Sequence, residues 1–365
     1  MRLEHIFVDG VRNLRSVTLE PDPRLTVFVG DNGQGKTNLL EAIHLAAALR
    51  PLRPVERASD LVAFGRDRGI VRARFDLDGP LPIEVLVEPR GRKATVAGKS
   101  VRDVGALSWR IGVVSFLPED SAMIRGGPEQ RRRGLDRFAF TLLPGFADVA
   151  RRFEEALERR NRVLKAPIVD LALLQSYDSP FAQAAASLTI ARAQAVARWA
   201  PAFRTEARAI GGDALAADMR YAPDIDGSDT LAHEPLVARF LEELAAARAQ
   251  ELKRRSTAKG PHHDDVVVWQ AAERKARFLA SQGEARALVL AMKIAAVRLS
   301  TEARGTGPLL LLDDVAGELD PDKGARLLRA VDDTGAQVFM TTTHATTLPP
   351  IGAARIVTVR EGTVC

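Results

Sequence analysis

Residues Gly30 to Thr37 read G-D-N-G-Q-G-K-T, directly after the apolar run L-T-V-F-V (Leu25 to Val29) and directly before an amphipathic stretch reaching Leu49. This satisfies G-x-x-x-x-G-K-[ST] in the strand-to-helix setting the motif requires. The glycines let the backbone curl so that its N–H groups point at a β-phosphate. Lys36 neutralises β/γ oxygens, Thr37 offers a hydroxyl to Mg²⁺, and the helix dipole favours the anion. Four such fixed positions arise by chance in roughly one sequence of this composition in 200. Gly30, Asp31, Asn32, Gly33, Gln34, Gly35, Lys36, Thr37 and Asn38 are therefore read as a nucleotide-binding loop, with Thr37 also a metal ligand.

Working outward, strand-like runs flank the loop at Leu3 to Val8, Ser16 to Glu20, Gly69 to Leu77, Ile83 to Glu88, Lys93 to Val96 and Gly112 to Phe116. From about Pro118 helical periodicity takes over, near Gly145 to Leu164, Ser179 to Ile210 and Glu234 to Arg255. After Lys259 the pattern returns to α/β: a strand at Val266 to Gln270, a helix from Gly283, the apolar run Pro308 to Leu312, a helix at Asp322 to Val331, and strands at Gln337 to Met340 and Arg355 to Val359. The expected architecture is an α/β head formed from both chain ends, residues 1–117 and 259–365, with a mainly helical lobe, 118–258, inserted between them.

The run L-L-L-L-D-D ends on Asp313, where a strand-terminal carboxylate holds a Mg²⁺ shell, and Asp314 is placed to act as base toward an attacking water. Upstream, L-A-S-Q-G-E-A-R (Leu279 to Arg286) opens a helix and resembles the signature of ABC-type ATPases. In that motif Ser281, Gln282 and Gly283 would contact the γ-phosphate held by a second subunit. The segment A-G-E-L-D (Ala316 to Asp320) is like a D-loop and His344 in T-T-T-H-A like a switch histidine. Phosphate loop, signature, acidic strand, D-loop and switch histidine follow in the order of an ABC-type head. A signature that works in trans implies a homodimer sandwiching two ATP molecules, with slow hydrolysis releasing it, so the ATPase is a switch.

Composition narrows the class further. The chain has 365 residues, 46% hydrophobic and 27% charged, the profile of a globular protein, and no apolar run is long enough to span a membrane. The opening M-R-L-E-H puts charge where a signal peptide would be apolar, and the one cysteine is Cys365, so a cytoplasmic location is expected. Net charge is only +5, yet between Arg125 and Lys165 there are 11 Lys and Arg against 6 Asp and Glu, so the rest of the chain sums to zero. Arg131, Arg132, Arg133, Arg151 and Arg152 are the candidate DNA-facing residues in that cluster, against the plainer reading of a solvated helix neutralised by i,i+4 acids.

The whole pattern resembles the RecF family of SMC-related DNA replication and repair proteins. The resemblance is carried by the start R-L-E-H-I-F-V-D-G-V-R-N-L, the phosphate loop, F-L-P-E-D-S-A-M-I-R-G-G-P-E-Q-R-R-R-G-L-D (Phe116 to Asp136), K-G-P-H-H-D-D (Lys259 to Asp265) and L-L-D-D-V-A-G-E-L-D. Departures are His263 for an arginine, Ala280 for a leucine, Glu284 for a glutamine and Gly317 for a serine. The resemblance implies ATP and Mg²⁺ as cofactors and an ATP-dependent homodimer that clamps gapped, single- or double-stranded DNA without reading sequence. It also implies assistance to RecA loading together with RecO and RecR, and no membrane partner. Two alternatives stay open on the residues alone: an ABC transporter ATPase subunit, disfavoured by a signature about 245 residues after the phosphate loop, and an SMC-like nuclease head. Either Glu119 or Asp120 stands where a Q-loop residue would.

Overall fold

The computed structural model describes residues 1–101, 104–270, 274–315, 321–343 and 354–365. In chain order, β1 (Arg2–Asp9), β2 (Val17–Leu19) and β3 (Leu25–Val29) lead into α1 (Lys36–Ala48). Then come β4 (Gly69–Asp76), β5 (Pro80–Glu88), β6 (Gly91–Val96), β7 (Lys99–Ser100), α2 (Val104–Ile111) and β8 (Val113–Phe116). The middle carries α3 (Ala122–Arg125), α4 (Pro128–Leu142), α5 (Phe146–Leu164), α6 (Leu171–Ser176), α7 (Asp178–Gly211), β9 (Ala217–Ala222), α8 (His233–Arg254), β10 (Asp265–Gln270), β11 (Arg274–Lys275) and α9 (Ala276–Leu279). The chain closes with α10 (Gln282–Arg304), β12 (Leu309–Leu312), α11 (Pro321–Asp332), β13 (Val338–Thr342), β14 (Arg355–Arg360) and β15 (Thr363–Val364).

Two units result. The first, the head, takes Met1–Ser121, Thr205–Leu215 and Ser281–Cys365, so both chain ends build it. Its six-stranded sheet in the order β15-β14-β3-β13-β12-β8 is parallel from β14 to β8. Strands buried on both faces should be continuously apolar, and L-L-L-L of β12 is buried at every position. A second sheet, β2-β1-β4-β5-β6-β7, is antiparallel and alternates, with Leu3, Ile6 and Val8 of β1 buried between exposed or half-buried neighbours. The inner residues of both sheets share one core with Leu39, Leu40, Ile43 and Leu45 of α1, which anchors the helix that follows the phosphate loop. Buried Gln337 ties the sheets together: its side chain accepts from Leu3 N–H at 2.7 Å and donates to Leu3 O at 3.0 Å.

The second unit comprises Ala122–Arg204 and Ala216–Ala280. It is helical but not wholly so. The strand expected at Val266 to Gln270 forms, and it pairs antiparallel with β9 and β11 in a three-stranded sheet of this unit. The division therefore falls after Ala280 and not at Lys259, because β10 has its hydrogen-bonding partners inside the insertion. Fully buried Arg160 of α5 joins α7 and α8 through Glu251 (2.6 and 2.9 Å) and Asp178 (3.1 Å). Removing one partner from such a pair strands the other charge, so truncation of any member is strongly destabilising.

Candidate functional site

The phosphate loop hangs between β3 and α1. Gly35 takes φ +113° and Gly33 φ +79°, a region L side chains rarely adopt, and a Cβ on Gly30 would lie 2.3 Å from Val359 O. The N-cap of α1 is Gly35, which supplies no side-chain cap to the helix's first N–H groups. Lys36 Nζ donates to Gly30 O (2.6 Å) and Asp31 O (2.9 Å), which folds the lysine over the loop. Burial pulls its pKa below the ordinary lysine range, and Asp314 and Asp313 oppose that shift. The loop is propped from behind: Gly362 N–H donates to Gln34 O (2.9 Å), and Asn13 Nδ2 donates to Gly33 O (3.1 Å). Asn38, counted with the loop from sequence, instead donates to Asn13 Oδ1 (2.7 Å) and accepts from Arg53 (3.0 Å). Arg53 and Arg12 both pair with Glu41 on α1, whose side chain is fully buried. Asn13, Arg12, Arg53 and Glu41 escape sequence reading because nothing in their spacing marks them.

Parallel pairing of β12 with β13 matches Leu312 to Met340 and so carries Asp313 alongside Thr341. Thr37 Oγ1 lies 2.9 and 3.0 Å from the two Asp313 carboxylate oxygens, and Thr341 Oγ1 donates to Oδ1 at 2.7 Å. Burial raises the Asp313 pKa while the two threonine hydroxyls lower it. A buried carboxylate beside a hydroxyl is a set of hard oxygen donors, and the charge that burial penalises is one a divalent cation would compensate. The pair Thr37 and Asp313 thus fits Mg²⁺. Asp314 sits next to it with φ +50°, an αL conformation uncommon for a residue with a side chain.

Ser281 is exposed at the start of α10, where it forms a capping box: Ser281 N–H donates to the Glu284 carboxylate (2.8 Å) and Glu284 N–H donates to Ser281 Oγ (3.2 Å). The Glu284 departure thereby has a local purpose, and Gln282 and Gly283 follow as the first turn. Asp120 is buried against Lys293 (3.1 Å) and accepts from Leu117 N–H, whereas Glu119 is exposed. Of the two acids left open for a Q-loop position, Asp120 is occupied within the head. His344 and the D-loop-like Ala316 to Asp320 lie outside the described residues.

The arginine run is corrected by the structure. Arg131 is 6% exposed and is held by both oxygens of Asp265 (2.6 and 2.8 Å) and by Gly126 O (2.7 Å), so it is not a surface group. Arg132 donates to Asp264 O (2.7 Å) and is half-buried; only Arg133 is exposed, in an i,i+4 pair with Glu129. On α5, Arg151 pairs with Asp148 and Glu155 and Arg160 is buried, while exposed Arg152 has no ion pair among the described residues. The His262 to Asp265 segment is an internal brace: Asp264 accepts from Arg192 (3.0 Å), Tyr221 and Asp224 N–H (2.9 Å). No group of three or more His, Cys, Asp or Glu among the described residues is arranged to hold a metal. Nor is any described helix long and apolar enough to cross a membrane.

A parallel sheet with the phosphate loop at one strand end, Asp313 and Asp314 at another and the serine-capped helix α10 make up an ABC-type, SMC-like P-loop ATPase head with an inserted lobe. A family model described as an AAA domain matches residues 5–72. The Smc head bound to the C-winged helix domain of ScpA shares the fold, with TM-score 0.58 at 14% identity over 100% of this chain and 96% of that one. The recombination mediator protein RecF with ATP, of the RecFOR pathway, matches at TM-score 0.88 and 26% identity over 100% of this chain and 97% of that one. The DNA replication and repair protein RecF of Myxococcus xanthus (strain DK1622) is 41% identical over 348 residues, 94% of this chain and 91% of that protein. The chain belongs to the RecF family.

Proposed function

We propose that this protein is an ATP-dependent DNA-binding protein of recombinational repair and replication restart, in which ATP closes a homodimer around DNA at single-strand/double-strand gaps. The observation carrying this reading is the convergence of the phosphate loop, Asp313 and Asp314 at one edge of the parallel sheet. In the proposed cycle Lys36 leaves the Gly30 and Asp31 carbonyls for the β/γ-phosphates, and the first N–H groups of α1 take the phosphate oxygens. Thr37 and Asp313 would hold Mg²⁺, whose bound charge offsets that of the triphosphate. Asp314 accepts a proton from water as the water oxygen bonds to the γ-phosphorus and the bond to the bridging oxygen breaks, giving ADP and phosphate.

Ser281, Gln282 and Gly283 lie exposed or half-buried at a helix N-terminus, ready for the γ-phosphate of a second protomer. His344 is proposed to reach that phosphate from its own head. Nucleotide bound between two heads adds its binding energy to the dimer, and two lobes together raise the local positive surface. Arg152 and Arg133 are the remaining candidates for backbone contacts, which are not sequence-specific. Turnover is slow and resets the clamp. RecR and RecO are the proposed partners, with RecA served indirectly, all in the cytoplasm. The relatives' names speak for this reading over a transporter subunit or a nuclease head.

Fluorescence anisotropy of a labelled gapped oligonucleotide tests it. Wild-type protein should bind at least tenfold more tightly with ATP and Mg²⁺ than without nucleotide, and Lys36→Met should lose the difference. Equal affinity with and without ATP would overturn the proposal.

A further inference from the structure

We propose that Thr341 is the positioning residue that keeps Asp313 and Asp314 in their separate tasks, an inference that rests on the reading of those carboxylates as metal ligand and water base. Neighbouring acids on one strand end cannot both be aimed by the strand, because successive side chains leave a strand on opposite faces. The chain solves this by turning Asp314 into the αL region, φ +50°. Asp is tolerated there, though it does not stay without support.

The support is one hydroxyl. Thr341 Oγ1 accepts from Asp314 N–H at 2.9 Å and donates to Asp313 Oδ1 at 2.7 Å. Thr341 is 1% exposed, so water does not replace it. The same oxygen therefore pins the turned backbone of one acid and the side chain of the other. Its position follows from the β12–β13 register, and Met340 and Thr342 on either side are buried in the same strand.

The arrangement matters most when nucleotide binds. Among the described residues two hydroxyls serve Asp313, those of Thr37 and Thr341. Thr37 is the one that would turn toward the cation. Thr341 then remains as the donor that fixes the Asp313 rotamer, and it lies on the strand leading toward His344. Without it, Thr37 has to serve carboxylate and cation at once, so the penalty should fall on the Mg²⁺-dependent part of ATP binding and spare the rest.

Thr341→Val keeps the shape and removes the hydroxyl, Thr341→Ala removes it with less packing demand, and Thr341→Ser restores it. Affinity for a fluorescent ATP analogue is measured with Mg²⁺ and with EDTA, alongside turnover and thermal melting. The expected result is unchanged affinity in EDTA, a Mg²⁺-dependent gain reduced roughly tenfold or more for Val and Ala, since a hydrogen bond to a charged group has that value, a lower kcat, and recovery with Ser. A Val or Ala variant that keeps the wild-type Mg²⁺ gain and kcat, or that loses affinity equally in EDTA, overturns the proposal. Absence of any Mg²⁺ gain in wild type would instead overturn the underlying reading of the carboxylates.

Discussion

Replacing Arg131 by alanine should unfold the lobe more readily and leave any DNA surface untouched, the opposite of what its place in R-R-R suggests. Arg131 donates twice to Asp265 and once to Gly126 O, with the arginine side chain 6% and the aspartate 26% exposed. Truncating one member of a buried pair costs roughly 3–5 kcal/mol because the other charge is stranded. Partial access of water to Asp265 lowers this to about 2–3 kcal/mol. Arg133, two residues on, forms an i,i+4 pair with Glu129 whose side chains are 70% and 61% exposed, so Arg133→Ala should cost no more than about 0.5 kcal/mol. Urea titration followed by tryptophan fluorescence separates them, since Trp199 and Trp269 lie in the lobe and Trp109 in the head. Under conditions where both variants are folded, the salt slope of DNA binding should fall by about 0.9 for each phosphate that Arg133→Ala no longer neutralises and stay unchanged for Arg131→Ala. Equal urea midpoints for the two variants, with a reduced slope for Arg131→Ala, would refute the buried-pair argument.

Asp314→Asn should lower ATP turnover by roughly 100-fold or more while retaining ATP, leaving a dimer that light scattering detects for hours; a monomer under ATP would exclude the sandwich. Ser281→Asp retains a good helix cap but sets a negative charge toward the partner's γ-phosphate, so circular dichroism should be unchanged and ATP-driven dimerisation lost; dimerisation at wild-type ATP concentration would remove Ser281 from the interface. His262 is half-buried beside Phe153 and Phe181, and its loss of hydration, with His263 next to it, lowers its pKa to about 4. The folded state resists a proton that the unfolded state takes near pH 6.5, so stability is full above that value and falls toward pH 4, by up to roughly 3 kcal/mol. Urea midpoints across that range should flatten in His262→Phe, and an unchanged pH slope would contradict the burial.

How much of this was legible in the sequence depends on how local the cause is. G-D-N-G-Q-G-K-T, L-L-L-L-D-D and S-Q-G-E carry their geometry within a few residues, so the phosphate loop, the buried strand and the start of α10 lie where the sequence puts them. β9 pairs with a strand more than 40 residues away, and its short alternation in A-D-M-R-Y-A is easily lost between helices. Arg131 did leave a sign, for Arg131, Leu135, Phe138 and Leu142 recur on one helical face and are all buried. Its partner Asp265, 134 residues on, left none. Thr341 is similar: T-T-T reads as ordinary strand sequence, and only the β12–β13 register turns one of its hydroxyls toward two carboxylates.

The proposed ATP-gated clamp is tested most directly by sedimentation velocity of a fluorescent gapped duplex with this protein. With ATP and Mg²⁺, and still more with Asp314→Asn, the labelled DNA should sediment with two protomers bound, and with ADP it should run free beside monomeric protein. One protomer per DNA, at the same affinity in ATP and ADP, would contradict the clamp.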